Sequence, residues 1–358
     1  MTEAAAMERA IQLAWRGWGR VHPNPLVGAV ALDAAGAVAG EGWHAEYGGP
    51  HAERAALAAA GDRARGGTLV VSLEPCNHHG KQPPCTDAIL AAGVARVVFA
   101  LEDPNPEAGG GAERLRAAGV VVEGGVGRAA AAVQNATFLA RWRGVERPWV
   151  ALKLATSLDG RIADRFGRSR WISGEEARDY VHWLRAGMDA IGVGGATARA
   201  DDPSLTVRGA VEPRTAPLRV VFDQTGNLPT SLELLRTAPE LPTAVVAGPL
   251  LSSERAEAIE ATGARLLRTS SLQHGLHELS QLGVGSLLVE GGGQLAGALL
   301  REGLVDRYYW IQSPIWLGDG AVPAVAGLHG VELATAERWD VVERRALGAD
   351  TLLVADRG

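Results

Sequence analysis

The sequence predicts an α/β protein of two domains, on three observations. Its 358 residues exceed one ordinary domain and suit two of roughly 150–200 residues each. Helical and strand periodicities alternate along the whole chain, the pattern of layered α/β architecture. The stretch Gly144-Val145-Glu146-Arg147-Pro148 interrupts that alternation as a linker does, dividing residues 1–145 from 146–358.

Residues 4–16 carry an amphipathic helical pattern closed by Gly17, and 26–32 form an apolar run expected of a buried strand. An Ala-rich helix is expected over 51–60, a strand over 68–73, and a helix over 86–92 stopped by Gly93. A strand at 96–101, a helix at 112–118, a short strand at 120–123 and a helix at 129–143 complete the first half. The second half opens on a strand at 149–155. Its helices are expected at 175–186, 253–261, 272–282 and 294–302, and its strands at 189–193, 218–223, 243–247, 265–268, 286–290 and 307–314.

Composition narrows the function. With 47% hydrophobic and 21% charged residues the chain is globular, with apolar material for two cores. A net charge of −6 and a pI near 5.9 count against nucleic acid as a partner, because phosphate-backbone binding needs a basic face. No run approaches the roughly 20 apolar residues of a membrane span, and Met1-Thr2-Glu3 does not open a signal peptide, so the expected compartment is the cytoplasm. There the two cysteines, Cys76 and Cys85, point to metal binding rather than a disulfide.

Three pieces converge on a zinc site. His51-Ala52-Glu53 opens a helix, Pro75-Cys76 follows a strand, and Cys85 precedes a second helix. One imidazole and two thiolates give a tetrahedral zinc three protein ligands and leave its fourth position for water. Glu53, two residues beyond the His51 ligand, is placed to move protons without occupying the metal. This is the H-x-E plus P-C arrangement of zinc base deaminases, although eight residues separate the cysteines where the commoner motif has two. His78 and His79 in the intervening loop are rival ligands. In the second half Glu290-Gly291-Gly292-Gly293-Gln294 fits either a phosphate cradle at a helix N-terminus or a plain tight turn. Gly192-Val193-Gly194-Gly195 fails the dinucleotide fingerprint, since position 197 is Thr and Glu212 falls in a loop.

The run from Leu73-Glu74-Pro75-Cys76 through His78, His79 and Lys81 to Pro84-Cys85-Thr86-Asp87 resembles the bifunctional riboflavin-biosynthesis deaminase/reductase family. His22-Pro23-Asn24-Pro25, Pro50-His51-Ala52-Glu53 and Asp103-Pro104-Asn105-Pro106 match its motifs in order, while Glu107-Ala108-Gly109-Gly110-Gly111 departs from the Val-x-Gly-x-Gly of many relatives. Lys153 to Gly160, Ser169-Arg170-Trp171-Ile172-Ser173, Leu184-Arg185-Ala186, Ala200-Asp201-Asp202-Pro203 and Val289-Glu290-Gly291-Gly292 continue the likeness into the reductase half.

The resemblance implies a cytidine-deaminase-like three-layer domain followed by a dihydrofolate-reductase-like domain. It implies zinc-dependent deamination of a phosphoribosylamino-pyrimidine, a small phosphorylated substrate, then NADPH-dependent reduction of its ribose to ribityl by a homo-oligomeric enzyme. Residue by residue, His51, Cys76 and Cys85 become zinc ligands and Glu53 the proton carrier, with Asn24, His44, Lys81 and Asn105 as deaminase substrate contacts. Ala155, Trp171, Thr197, Asp201 and the run Gly292, Gly293, Gln294, Leu295, Ala296, Gly297, Ala298 would line the NADPH site. Ser169, Arg185, Leu205, Arg208 and Glu290 would meet the reductase substrate, the two arginines suiting phosphate, with Lys153 an ion-paired residue. Two other readings stand beside this one. A nucleoside or tRNA deaminase would turn over free cytidine or adenosine, and a zinc-stabilised binding protein would show a fourth protein ligand on the metal.

Overall fold

Strands rich in Val, Ala and Leu build the first of two units in the computed structural model, which describes all 358 residues as Met1–Gly144 and Val145–Gly358. In chain order the first unit runs α1 (Glu3–Ala14), β1 (Gly28–Leu32), β2 (Val38–Trp43), α2 (Ala52–Ala60), β3 (Thr68–Leu73), α3 (Cys85–Ala92), β4 (Arg96–Leu101), α4 (Gly111–Ala117), β5 (Val121–Gly124), α5 (Arg128–Gln134) and α6 (Ala136–Ala140). The sheet order is β2-β1-β3-β4-β5, with β1 antiparallel to both neighbours and β3, β4 and β5 parallel. Met7 and Leu13 of α1, Ala56 and Leu57 of α2 and Ile89 of α3 share one core with Val30, Val70 and Val98 of the sheet.

Strand β2 was not expected from sequence, because Gly40 and Gly42 weaken its strand pattern. Both glycines are there for packing. A Cβ on either would stand 2.4 Å from the α2 backbone at Ala56, so α2 lies directly on the strand. The helix expected over 129–143 is instead two short helices broken at Asn135, which leaves helical geometry at φ −100°, ψ 21°.

The second unit runs β6 (Trp149–Thr156), β7 (Arg161–Ala163), α7 (Glu175–Ala186), β8 (Ala190–Gly194), α8 (Gly195–Asp201), β9 (Leu218–Asp223), α9 (Glu233–Arg236), β10 (Thr243–Ala247), α10 (Ser253–Glu260), β11 (Arg265–Arg268), α11 (Leu272–Gln281), β12 (Ser286–Val289), α12 (Gly293–Arg301), β13 (Arg307–Gln312), β14 (Val322–Pro323), β15 (Trp339–Leu347) and β16 (Asp350–Arg357). Nine strands form one sheet in the order β11-β10-β9-β8-β12-β6-β13-β16-β15. The first seven in that order are parallel, and β16 and β15 add antiparallel to β13. An open parallel sheet binds ligands beyond the carboxyl ends of its strands. Gly194, Asp223, Ala247 and Glu290 stand at those ends and line one cleft. The β15–β16 pair escaped the sequence reading because β15 is an edge strand whose Asp340, Arg344 and Arg345 are exposed, which erases the apolar alternation. No helix is long and apolar enough to cross a membrane.

Candidate active sites

The first site is built where three chain segments end. His51 is the residue before α2, Cys76 follows β3, and Cys85 is the first residue of α3. His51 Nδ1 stands 3.5 Å from Cys76 Sγ and 3.3 Å from Cys85 Sγ. Zinc bonds of 2.1 Å to nitrogen and 2.3 Å to sulfur at the tetrahedral angle separate the two ligand atoms by about 3.6 Å, so the donor set fits the ion. The cluster comprises these three donors, all within 4.8 Å of one another, and His78 and His79 lie outside it. Three ligands are the number a catalytic zinc carries, with a position left open.

The paired thiols suit a cation. A hydrogen bond from Cys85 holds the Cys76 thiol well below the usual thiol range, while the same pairing pushes Cys85 up. One of the two thiols ionises readily and the second resists, until a dication takes both protons' place. Cys76 Sγ also accepts the Cys85 backbone N–H at 3.4 Å, at the N-terminus of α3 where negative charge is favoured. Glu53 lies in the first turn of α2 and is only 3% exposed. Burial, then the charge of Cys76, pushes its carboxyl up to about 7.

Around this centre is a cavity of about 220 Å³ lined by His51, Glu53 and Cys76 and by all four expected substrate contacts, Asn24, His44, Lys81 and Asn105. His44 Nδ1 lies 3.0 Å from the Pro50 carbonyl and so donates there, which leaves Nε2 to accept from the Asn24 amide at 3.1 Å. Burial lowers the pKa of His44 and keeps this neutral tautomer. Asn105 spends its Oδ1 on the Glu107 N–H, so it brings its amide donors to the cavity. Lys81 is exposed, with Nζ 4.1 Å above the Tyr47 ring. Gly111, in the stretch that departs from many relatives, sits where a Cβ would be 1.8 Å from the Pro75 carbonyl beside Cys76. Sequence reasoning missed Tyr47 and Phe138, which carried no motif, and Gln82, which lies inside the Leu73–Asp87 run but was not singled out; all three line the cavity.

The second site is a cleft of about 1850 Å³. Ala155, Trp171, Thr197, Asp201, Gly292, Gly293, Gln294, Leu295 and Ala298 line it, as do Ser169, Arg185, Leu205, Arg208 and Glu290. Ala296 lies in the core instead, and Gly297 packs against Ala326, where a Cβ would be 1.7 Å from the carbonyl. Gly292 has φ +70°, and a Cβ there would meet Thr197 Oγ1 at 2.8 Å, so the backbone is open to a ligand only because the residue is glycine. Ser169 donates to Asp201 at 3.2 Å. Arg185 grips Glu290 through Nε at 2.5 Å and Nη2 at 2.9 Å, and its Nη1 donates to the Thr206 carbonyl at 2.7 Å. Lys153 Nζ stands 3.9 Å from the same carboxylate. Burial opposes ionisation of Glu290, yet the charges of Arg185 and Lys153 outweigh it and hold the carboxyl at about 2. His182, which no motif marked, accepts the Arg208 backbone N–H at 3.2 Å and fixes the end of the segment carrying Leu205.

A deaminase centre on a mixed sheet followed by a glycine-rimmed cleft on a parallel sheet defines a class: an enzyme joining a cytidine-deaminase-type domain to a dihydrofolate-reductase-like domain. Residues 148–353 match the RibD C-terminal domain, and residues 1–101 match the cytidine and deoxycytidylate deaminase zinc-binding region. Riboflavin biosynthesis protein RibD of Escherichia coli K12 is 40% identical over 371 residues, covering 99% of each chain. That of Aquifex aeolicus is 39% identical over 354 residues, covering 98% of this chain and 97% of the relative. Among solved structures, Acinetobacter baumannii RibD aligns with TM-score 0.83 at 36% identity. A Thermotoga maritima diaminohydroxyphosphoribosylaminopyrimidine deaminase/5-amino-6-(5-phosphoribosylamino)uracil reductase aligns with TM-score 0.82 at 33% identity, and each covers 99% of both chains. The chain therefore belongs to the RibD family, the bifunctional deaminase/reductases of riboflavin biosynthesis. Its deaminase domain carries the His51-Cys76-Cys85 zinc site.

Proposed function

We propose that the first unit deaminates 2,5-diamino-6-(5-phosphoribosylamino)pyrimidin-4(3H)-one, and that the second reduces the product's ribosyl chain with NADPH to give 5-amino-6-(5-phosphoribitylamino)uracil. The observation that carries the reading is the convergence of His51, Cys76 and Cys85 beside a buried Glu53 in a ring-sized cavity. The Thermotoga relative's substrates supply the chemistry.

Bound zinc supplies Lewis acidity that makes water a nucleophile at neutral pH. Glu53 takes the proton that the attacking water loses and delivers it to the departing amine, so that ring C–NH₂ and water become C=O and ammonia. Asn24 and Asn105 present amide groups to the ring, and His44 holds the Asn24 amide in place. A cavity of about 220 Å³ is smaller than the roughly 300 Å³ at which ligand pockets begin, so it encloses the ring while the sugar phosphate projects past the rim. Lys81 stands at that exposed rim as the phosphate's cation. Lys81→Ala is expected to raise the deaminase KM about tenfold with kcat retained, the loss of one charge-assisted contact. Initial rates over a substrate series check this.

In the second unit NADPH would lie along Ala155, Thr197, Gly292 and Gln294, and it supplies the hydride. The protein's own task is alignment: Glu290 is fixed by Arg185, and Arg208, whose guanidinium makes no ion pair, is the group left for the substrate phosphate. The test follows zinc content, ammonia and NADPH absorbance in one reaction. Ammonia release followed by NADPH oxidation supports both assignments, and zinc-loaded protein that releases no ammonia overturns the first. Chelation is expected to abolish ammonia release, and added zinc to restore it. NADPH oxidation on supplied deaminated product should be unchanged throughout, because no group of the cleft belongs to the metal cluster.

A further inference from the structure

We propose that Phe138 is a specificity-determining wall of the deaminase cavity, the apolar face on which the substrate's pyrimidine ring lies, and that Asn135 is the positioning residue that sets it. The proposal rests on the deaminase reading above.

The two carbocyclic rings that line the cavity are Tyr47 and Phe138. One face of Tyr47 is covered by Lys81 Nζ at 4.1 Å. Phe138 stacks on no other ring, is half-buried, and stands outside the hydrophobic core, whereas Leu139 beside it packs against that core. A half-buried aromatic side chain that pairs with no other ring and lines the catalytic cavity is available to a ligand there. A flat heteroaromatic ring is the partner such a face takes.

Asn135 explains why Phe138 is there. It is 2% exposed, its Oδ1 accepts the Leu26 N–H at 2.8 Å, and its Nδ2 donates to the Leu26 carbonyl at 3.0 Å. This reciprocal pair joins residues 109 apart in sequence and breaks α5 from α6, so that α6 starts at a fixed place. Leu26 is two residues from Asn24, whose amide meets His44. One buried side chain therefore sets both a polar contact and the apolar wall. Asn135 and Phe138 lie beyond residues 1–101, the part shared with the general zinc-binding deaminase region.

Phe138→Ala, Phe138→Leu, Phe138→Tyr and Asn135→Ala would be compared with wild type for zinc content and for KM and kcat. Two substrates are needed, the phosphoribosylamino-pyrimidine and the triaminopyrimidinone ring without its sugar. Loss of aromatic stacking on a base is expected to raise KM roughly 5- to 100-fold for Phe138→Ala and Phe138→Leu on both substrates, with kcat within about threefold and zinc retained. Phe138→Tyr should restore KM. Asn135→Ala, which frees Asn24 as well, should raise KM and lower kcat together. A KM within about twofold of wild type in Phe138→Ala overturns the proposal. So does zinc loss from Phe138→Leu, which would make the ring a core residue, or an effect confined to the sugar-bearing substrate. Absence of ammonia from wild type overturns the substrate reading itself, whatever the variants do.

Discussion

Glu53→Gln is expected to lower deaminase kcat by about 10²- to 10⁴-fold while zinc stays bound, the range a positioned acid–base group contributes. The glutamine keeps the size and polarity of the side chain in the first turn of α2 but neither takes nor gives a proton at the reacting ring. Glu53 is not among the three clustered donors, so metal content should be unchanged, and that separates this variant from Cys85→Ser. Burial and the Cys76 charge push the carboxyl toward about 7, while a dication beside it acts in the opposite direction. Ammonia release at saturating substrate, with zinc measured on the same sample, decides the matter. A kcat within about threefold of wild type would remove Glu53 from the proton path.

The second large effect is expected at Glu290. Removing one partner of a buried ion pair strands the other charge, and here Glu290→Ala would strand two, Arg185 and Lys153. The expected loss is about 3–5 kcal/mol of stability in the second unit, with reductase activity abolished and ammonia release retained. Glu290→Gln keeps acceptor oxygen for Arg185 and should lose less. The pH dependence has a definite sign. The folded carboxyl is held at about 2 against an ordinary 4.5, so its contribution is fully present above about pH 4.5 and disappears as pH falls from there toward 2. Denaturant melts across that window should show wild type losing stability more steeply than Glu290→Gln. Equal slopes would mean that folding does not lower the pKa of this carboxyl.

Much of this was legible without coordinates, and for reasons that differ from residue to residue. His51, Glu53, Cys76 and Cys85 were readable because metal chemistry admits few residue types and each stands at the end of a helix or strand, where turn signals fall. Asn24, His44, Lys81 and Asn105 were readable only through motif resemblance, since as isolated polar loop residues they carry no signal of their own. Strand β2 was hidden by glycines whose reason is the neighbouring helix, and β15 by its position at a sheet edge. In the run 292–298 sequence treats seven residues alike, whereas packing sends Ala296 into the core and Gly297 against Ala326.

By itself the sequence determined the α/β class, the division into two halves, the metal and its ligands, and the family. All of these are encoded in residue type and local order. Tertiary structure alone decided that Asn135 bonds Leu26, that Phe138 faces the cavity, that Arg185 spends itself on Glu290 and Thr206, and that His182 holds the Arg208 backbone. Those partners are far apart along the chain. A hydrogen bond between residues 109 positions apart follows from how the sheet and helices stack, which no local pattern of residues records.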